Sequence, residues 1–242
     1  MKKILLTTAL TLSAGIAFAA GHGQTVRMGT EGAYPPYNFL NDAGEVDGFE
    51  RELGDELCKR AELKCEWVTN EWDSIIPNLV SGNYDTIIAG MSITAERDEV
   101  IDFTQNYTQP DPSAYLAAAE GVDLENGVIA AQASTIQASH IASMSGATLL
   151  EFATPEETIA AVRNGEADAV LADKAFLDPI AEAESDLMIV GEDVLLGGGI
   201  GMGIRESDAE LKAKFDAAIQ SMKDDGSLNA LIVKWLPGSA TF

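Results

Sequence analysis

The chain has 242 residues, with 15 Lys and Arg against 39 Asp and Glu, so its formal net charge at pH 7 is −24. Such an acidic surface repels nucleic acid and anionic lipid, and this charge excludes both from the expected partners. Because 46% of the residues are hydrophobic, the acidity does not indicate disorder, and a folded core is available.

The first residues are typical of a secretory signal peptide over 1–19. Lys2 and Lys3 precede an apolar stretch, and Ala17-Phe18-Ala19 has the A-x-A form of a cleavage site. The alternative is an uncleaved membrane anchor, but the stretch is shorter than the roughly 20 residues that a spanning helix needs. We therefore predict an exported, periplasmic protein without direct membrane insertion. Loss of the two lysines leaves 13 basic and 39 acidic residues, a formal charge of −26.

The first predicted elements alternate between strands, loops and one helix. Residues 25–30 have the pattern of a short strand, and 31–37 are predicted to be a loop because they contain two prolines. Residues 41–44 indicate a turn. The spacing of apolar residues predicts a helix over 49–63, and the next strand is predicted over 66–69.

The chain has two cysteines, Cys58 and Cys65, at a short spacing. In an exported protein this pair predicts one disulfide that closes a short loop. A metal site is the alternative, but His22 and His140 stand far away in sequence, and we predict no metal ligands.

Two segments share the order helix, glycine, aspartate, apolar strand. Gly82 and Asp85 in the first segment correspond to Gly165 and Asp168 in the second, and each glycine suits the left-handed end of a helix. The second helix also has start signals, with threonine, proline and glutamate within 154–157. The repeat favours an α/β protein with two lobes of similar build, although such units also recur by chance in α/β proteins.

The strands of these two units indicate where a ligand would bind. In α/β sheets, ligands bind beyond the carboxyl ends of the strands. Residues 90–92 follow the first strand, and residues 173–174 follow the second. We therefore predict that these two segments face each other across one cleft.

Two segments are predicted to connect the lobes. Residues 107–112 contain two prolines, residues 195–203 are dense in glycine, and a helix predicted over 210–222 would then return to the first lobe. Two adjacent connections make a hinge. The predicted organisation is a signal peptide over 1–19, a discontinuous lobe I over 20–110 and 202–242, and a lobe II over 111–201.

A search for catalytic motifs finds none. The chain lacks G-x-S-x-G, G-x-x-x-x-G-K and H-E-x-x-H, and the glycine run at 197–203 does not contain G-x-G-x-x-G. Carboxylates are plentiful, but nothing in the sequence singles out an acid and base pair. The sequence therefore favours a binding protein over an enzyme.

Binding has more support, because Arg97 follows Ser92 and Thr94 just after a strand. Thr94 is predicted to cap a short helix, and the free N–H groups of that helix start favour a carboxylate together with the guanidinium. The alternative is a surface ion pair between Arg97 and a neighbouring acid. Asp173 would suit a cation, with a turn-capping role as the alternative. An anion site on one lobe and a carboxylate on the other describe a receptor for a zwitterion, an α-amino acid.

These residues resemble the periplasmic amino-acid-binding proteins of ABC importers, solute-binding protein family 3, which includes histidine-, lysine/arginine/ornithine- and glutamine-binding proteins. The resemblance covers essentially the whole mature chain. It implies a two-lobe type II periplasmic binding protein, with a mixed sheet flanked by helices in each lobe and a two-strand hinge. The motifs that carry it are GTEGAYPPY at 29–37, VDGFE at 46–50, EWDSIIP at 71–77, MSIT and Arg97 within 91–97, IDFT at 101–104 and GMG at 201–203.

The resemblance also implies roles for single residues. Arg97 would hold the α-carboxylate of the ligand, and Asp173 would take its α-ammonium. Tyr34 and Trp72 would pack against the ligand side chain, and Glu31 would contact its end. Some members also have a disulfide where Cys58 and Cys65 lie. The full set of implied ligand-binding residues is Glu31, Tyr34, Glu50, Trp72, Gly90, Met91, Ser92, Arg97, Ser134, Thr135 and Asp173.

Two departures from the family pattern bear on specificity. Residues 89–92 read Ala-Gly-Met-Ser where some relatives have Ser-Ser-x-Ser, so one hydroxyl contact is absent. Glu31 is also longer than the aspartate of the best-known members. The implied function is capture of a polar or basic L-amino acid by lobe closure and its delivery to an inner-membrane ABC permease, by a monomer without cofactor or catalysis. The alternative is an exported dehydratase of the same fold that acts on prephenate or arogenate.

Overall fold

The structure of the protein is a computed structural model that describes residues 25–242. The predicted signal peptide and the predicted start of the mature chain lie outside the described residues. The elements of the first part of the chain are β1 Thr25–Thr30, β2 Ala33–Tyr34, β3 Asn38–Leu40, β4 Val46–Asp47, α1 Phe49–Arg60, β5 Lys64–Thr69, a 3-10 turn Trp72–Ser74, α2 Ile75–Val80, β6 Thr86–Ile87, α3 Ala95–Asp98 and β7 Asp102–Phe103. Those of the second part are β8 Pro112–Ala117, β9 Val128–Gln132, α4 Ile136–Ser143, β10 Thr148–Phe152, α5 Pro155–Arg163, β11 Ala169–Asp173, α6 Lys174–Ala183, β12 Met188–Leu195, β13 Gly203–Ile204, α7 Ala209–Asp224 and α8 Ser227–Trp235.

Two five-stranded mixed sheets with the same strand pattern organise the fold. The first has the order β5-β1-β6-β13-β7 and the second has the order β10-β9-β11-β8-β12. In each sheet three parallel strands come first and two antiparallel pairings follow. The prediction of an α/β fold with two similar lobes is confirmed. We call the part around the first sheet lobe I and the part around the second sheet lobe II.

The repeated unit predicted from the sequence is present in both lobes. Gly82 and Gly165 follow helices α2 and α5 with φ angles of 79° and 71°, in the left-handed region that favours glycine. Oδ2 of Asp85 accepts a hydrogen bond of 2.9 Å from the N–H of Arg27, the third residue of β1. Oδ2 of Asp168 accepts one of 2.8 Å from the N–H of residue 128 at the start of β9. In each lobe the aspartate thus joins its own strand to the parallel neighbour.

Helix α1 ends earlier than the apolar spacing predicts. It ends at Arg60, and Glu62 then takes a left-handed φ of 55° while the N–H of Leu63 donates to the carbonyl of Cys58 at 2.9 Å. This turn reverses the chain so that β5 begins two residues before its predicted start. The Cys58–Cys65 disulfide joins the end of the helix to that strand. The disulfide prediction is therefore confirmed, and the alternative of a metal site at these cysteines is wrong.

The two connections between the lobes lie side by side, as expected of a hinge. The N–H of Tyr107 donates to the carbonyl of Ile200 at 2.8 Å, and the N–H of Ile200 donates to Oγ1 of Thr108 at 3.2 Å. Gly199 has a φ of 90°, and a Cβ there would lie 2.5 Å from the carbonyl oxygen of Thr108. The two connecting segments therefore approach so closely that only glycine fits at position 199.

The C-terminal helices belong to the core of lobe I. Phe215 and Ile219 of α7 and Ile232 of α8 are fully buried against Met28 and Leu53. Helix α7 covers the predicted span 210–222, whereas α8 was not predicted. Within the described part of the chain, no helix combines the length and apolar character needed to cross a membrane.

Candidate ligand-binding site

The main cavity lies between the lobes at the carboxyl ends of four strands. It encloses about 490 Å³ of empty space, part of which opens to solvent. Glu31 follows β1 and Gly90 follows β6 in lobe I, while Gln132 ends β9 and Asp173 ends β11 in lobe II. The ends of both repeated units, at Gly90 and Asp173, therefore line one cleft, as the strand ends predict.

The predicted site residues divide into two groups. Glu50, Met91 and Ser134 do not line the cavity. Met91 is fully buried in the core of lobe I, and Ser134 presents its backbone carbonyl to Arg97. The eight predicted residues that line the cavity are Glu31, Tyr34, Trp72, Gly90, Ser92, Arg97, Thr135 and Asp173.

Arg97 is held in place by both lobes. Oγ1 of Thr94 accepts from the N–H of Arg97 at 3.2 Å, which confirms Thr94 as the cap of helix α3. The Nη1 atom of Arg97 donates to the carbonyl of Ser92 at 2.9 Å, and Nη2 donates to the carbonyl of Ser134 in lobe II at 3.1 Å. The guanidinium lies 5.4 Å from the centre of the Trp72 ring. Each Nη atom uses one of its two N–H groups in these bonds and keeps the other, and Arg97 lines the cavity.

The charge of Arg97 is not neutralised by its neighbours. Burial lowers the pKa of Arg97 to about 10, against the attraction of Asp173 and Glu96, so the side chain stays cationic at neutral pH. Among residues 25–242, Arg97 forms no ion pair. The alternative of a surface ion pair is therefore wrong for this structure. A positive charge without a counterion faces the cavity.

Asp173 provides the opposite charge from lobe II. It precedes helix α6 without making a capping hydrogen bond, so the turn-capping alternative is wrong. Its Oδ2 accepts from the hydroxyl of Tyr34 at 2.8 Å, and its Oδ1 accepts from Nε2 of Gln137 at 3.0 Å. Burial raises the pKa of Asp173 to about 6, against the hydrogen bond from Tyr34. The carboxylate is thus oriented by neutral donors and remains anionic at neutral pH.

Glu31 is the second acid that lines the cavity. Its Oε1 accepts a hydrogen bond of 2.6 Å from Nε2 of Gln132, which also donates to the carbonyl of residue 153 at 3.0 Å. Burial raises the pKa of Glu31 to about 7, and the hydrogen bond from Gln132 opposes this shift. A cation placed beside Glu31 would favour its ionised form.

Aromatic rings form part of the wall. The ring of Tyr34 is stacked between Tyr37 and Phe176, with centroid distances of 5.8 and 4.5 Å. Because Phe176 belongs to the core of lobe II, Tyr34 contacts the cores of both lobes. Trp72 is buried beside Arg97.

Glu50 does not line the cavity, but it binds the backbone of Gly90, which does. This fully buried carboxylate accepts from the N–H of Gly90 at 2.6 Å, from Nδ2 of Asn38 at 2.7 Å and from the hydroxyl of Tyr107. Gly90 has a φ of 61°, in the left-handed region. Glu50 therefore connects the loop after β6 with the first connection between the lobes.

Gln132 and Gln137 line the cavity but were not predicted from the sequence. Gln132 ends an apolar strand, so the same strand-end rule that selected Asp173 would have found it. Gln137 lies in the first turn of α4, two residues after the cap Thr135, and lacked a comparable signal. No group of three or more His, Cys, Asp or Glu residues in the described range is placed to hold a metal ion.

Known proteins share the sequence pattern and the fold of this chain. Residues 26–238 match the family described as bacterial extracellular solute-binding proteins, family 3. The lysine/arginine/ornithine-binding periplasmic protein of Escherichia coli is 31% identical over 97% of each chain. The octopine-binding periplasmic protein of Rhizobium meliloti is 30% identical over 99% of this chain and 98% of its own.

One crystal structure is similar to this chain in fold and has a higher sequence identity than these two relatives. It is that of a periplasmic His/Glu/Gln/Arg/opine family-binding protein from Silicibacter pomeroyi in complex with lysine, 73% identical with a TM-score of 0.87, and the match covers 90% of this chain and 100% of that one. These three relatives are named as binding proteins, which agrees with the expectation of a binding role without catalysis. The chain therefore belongs to family 3 of the bacterial extracellular solute-binding proteins.

Proposed function

We propose that the protein is the periplasmic receptor of an amino-acid ABC importer and that its ligand is a cationic L-amino acid such as lysine or arginine. The observation that carries this proposal is the charge pattern of the cavity. One cation, Arg97, and two acids, Asp173 and Glu31, line it. Lysine and arginine carry the complementary set of one carboxylate and two cations.

Each charge has a proposed partner on the ligand. The guanidinium of Arg97 would pair with the α-carboxylate in the bidentate manner that arginine favours. Asp173 would accept from the α-ammonium, since its oxygens are already oriented by Tyr34 and Gln137. Glu31 would take the cationic end of the side chain. The relatives named for lysine, arginine and ornithine support this class of ligand.

Capture would proceed by closure of the lobes. The ligand would bridge the half-site of Arg97 on lobe I and that of Asp173 on lobe II, and so shift the population towards the closed form. We place the lobe boundaries within the two connections, near residues 110–111 and 201–202. The closed form would then be recognised by the inner-membrane permease.

Titration calorimetry with lysine, arginine, glutamine and glutamate tests the proposal. We expect lysine and arginine to bind tightest and glutamate not to bind, because Glu31 would repel an anionic side chain. Arg97→Ala should weaken lysine binding by at least about 30-fold, which corresponds to the loss of about 2 kcal/mol or more for a buried charge pair. Arg97→Lys keeps the charge without the fork and should bind with intermediate affinity.

Two results would contradict the proposal. One is an unchanged lysine affinity in Arg97→Ala with an intact circular dichroism spectrum. The other is release of product from prephenate or arogenate, which would support the dehydratase alternative.

A further inference from the structure

A second, smaller cavity adjoins the ligand cavity at the hinge, and we call it the hinge cavity. It shares Ser92 and Asp173 with the main cavity. Its other walls come from the loop after β2 and from both connections between the lobes. The residues used below are Tyr37, Thr108, Asp111 and Ile200. The hinge cavity therefore extends the site behind the carboxylate that we assign to the α-ammonium.

Two polar atoms in the hinge cavity have no hydrogen-bond partner among the described residues. One is the hydroxyl of Tyr37, whose side chain is 0% exposed, and the other is Oδ2 of Asp111. The hydroxyl of Thr108 has one partner, because it accepts from the N–H of Ile200. Buried polar atoms are rarely left unpaired, since each loses the hydrogen bonds that it would make to water. Because both residues line the hinge cavity, a polar group bound there could satisfy both atoms.

The charges around the hinge cavity have one sign. Asp111 and Asp173 are the charged residues that line it. Repulsion from the Asp111 carboxylate contributes to the raised pKa of Asp173, after the larger effect of burial. Arg97 is the cation of the main cavity and would be occupied by the ligand carboxylate. The α-amino end of a ligand would consequently experience a negative potential.

We propose that Tyr37 and Asp111 form a second polar subsite for the α-amino end of the ligand, which accepts an ammonium, free or alkylated, and rejects a carboxylate attached to that nitrogen. This inference rests on the proposed function. Opines carry such a carboxyalkyl group on the α-nitrogen. The protein would thus take free basic amino acids and refuse opines, although one relative of 30% identity is named as octopine-binding.

Three ligands separate charge from size at this nitrogen. They are L-lysine, Nα-methyl-L-lysine and Nα-carboxymethyl-L-lysine, measured by titration calorimetry on the mature protein. We expect the methyl derivative to bind within about tenfold of lysine. The carboxymethyl derivative should bind about 100-fold more weakly than lysine, because its carboxylate meets two half-buried acids, Asp111 and Asp173.

Variants assign this selectivity to the hinge cavity. Asp111→Asn should narrow the affinity ratio between lysine and the carboxymethyl derivative by about tenfold, since one repulsive charge is removed. Tyr37→Phe should weaken lysine binding by about threefold to tenfold and leave the ratio wide. Glu120→Gln is the matched control, because it removes one charge from an exposed position and should leave the ratio unchanged. Asp111→Ser serves as the second variant if Asp111→Asn does not fold.

Several outcomes would overturn the inference. If the methyl derivative is rejected as strongly as the carboxymethyl one, size and not charge limits the cavity. An unchanged ratio in the folded Asp111 variant, or an equal change in Glu120→Gln, would remove Asp111 from the site. Failure of the proposed function is distinguishable, because the wild-type protein would then not bind lysine at all.

Discussion

The hydroxyl of Tyr34 in lobe I donates a hydrogen bond of 2.8 Å to Oδ2 of Asp173 in lobe II. The same hydroxyl accepts from the N–H of Asp173 at 3.2 Å, and its ring stacks on Phe176 of lobe II. One side chain therefore both lines the cavity and links the lobes. The partner of Tyr34 in this link is Asp173, which we assign to the α-ammonium of the ligand. Closure and ligand contact therefore involve the same carboxylate.

Tyr34→Phe should open the ligand-free protein while keeping the aromatic stack. A hydrogen bond to a charged group contributes about 1.5–3 kcal/mol, and here that energy favours the closed form. We expect a larger radius of gyration without ligand in small-angle X-ray scattering, and about tenfold weaker lysine binding because the closed form is less populated. An unchanged radius would show that the remaining contacts between the lobes, among them Arg97 to Ser134 and Gln132 to Glu31, hold them together without this bond.

Ligand affinity should fall as the pH falls from about 7 to 5. Burial raises the pKa of Glu31 to about 7 and that of Asp173 to about 6, and a bound cation requires both groups to be ionised. Each group should lower the affinity for lysine about tenfold per pH unit below its own pKa, because its proton must leave when lysine binds. Below pH 6 the two effects add. Calorimetry across this range in buffers of different ionisation enthalpy measures the protons released.

Glu31→Gln separates the two titrations. Its affinity should begin to fall only near pH 6, where Asp173 titrates. The same shifts act oppositely on the ligand-free protein, which should lose stability as the pH rises from about 4 through 7, since the unfolded carboxyls ionise first. A pH profile of lysine affinity that Glu31→Gln leaves unaltered would remove Glu31 from the site.

Glu50→Gln should destabilise lobe I and weaken ligand binding together. An amide nitrogen in place of one carboxylate oxygen would face a donor, either Asn38 or the N–H of Gly90, and leave it unsatisfied. We expect a loss of about 2–3 kcal/mol in the free energy of unfolding. Glu52→Gln in the same helix breaks only a partly exposed ion pair with Lys234 and should cost less than about 1 kcal/mol. Equal effects of the two variants would contradict the proposed role of Glu50.

The two aspartates of the repeat should differ in their contribution to stability. Arg27 and Arg205 both pair with Asp85, whose side chain is 11% exposed, whereas Asp168 is exposed and bonds to a backbone N–H. Burial acts to raise the pKa of Asp85, but the bonds from the arginines outweigh it and lower the pKa to about 2.

Asp85→Asn should therefore cost about 2–4 kcal/mol of unfolding free energy, and Asp168→Asn about 1 kcal/mol. Urea denaturation near neutral pH measures both. The contribution of Asp85 is present above its unfolded pKa and is lost as the pH falls from about 4 through about 2. The free energies of unfolding of the two variants should therefore converge at low pH. A larger loss in Asp168→Asn would contradict this ranking.

The predictions from sequence succeeded where the signal is local. The capping box at Thr154 and Glu157 and the glycine after each repeated helix were predicted correctly, because neighbouring backbone groups alone decide them. The assignment of Glu50 to the ligand shows the limit. The family resemblance alone assigned it to the ligand site, but the structure places it beneath the loop, where it bonds to Asn38 and Tyr107 from elsewhere in the chain.

The sequence by itself determined the two repeated units, the segment after β6 that carries Arg97, the strand end at Asp173 and the disulfide, since each follows from spacing, charge or a short loop. Only the tertiary structure decided which distant residues contact each other or line the same cavity. The bond between Tyr34 and Asp173 spans most of the chain, and the hinge cavity joins Tyr37 to Asp111. Such contacts depend on how the two sheets are placed relative to each other about the hinge, and no local pattern encodes that geometry.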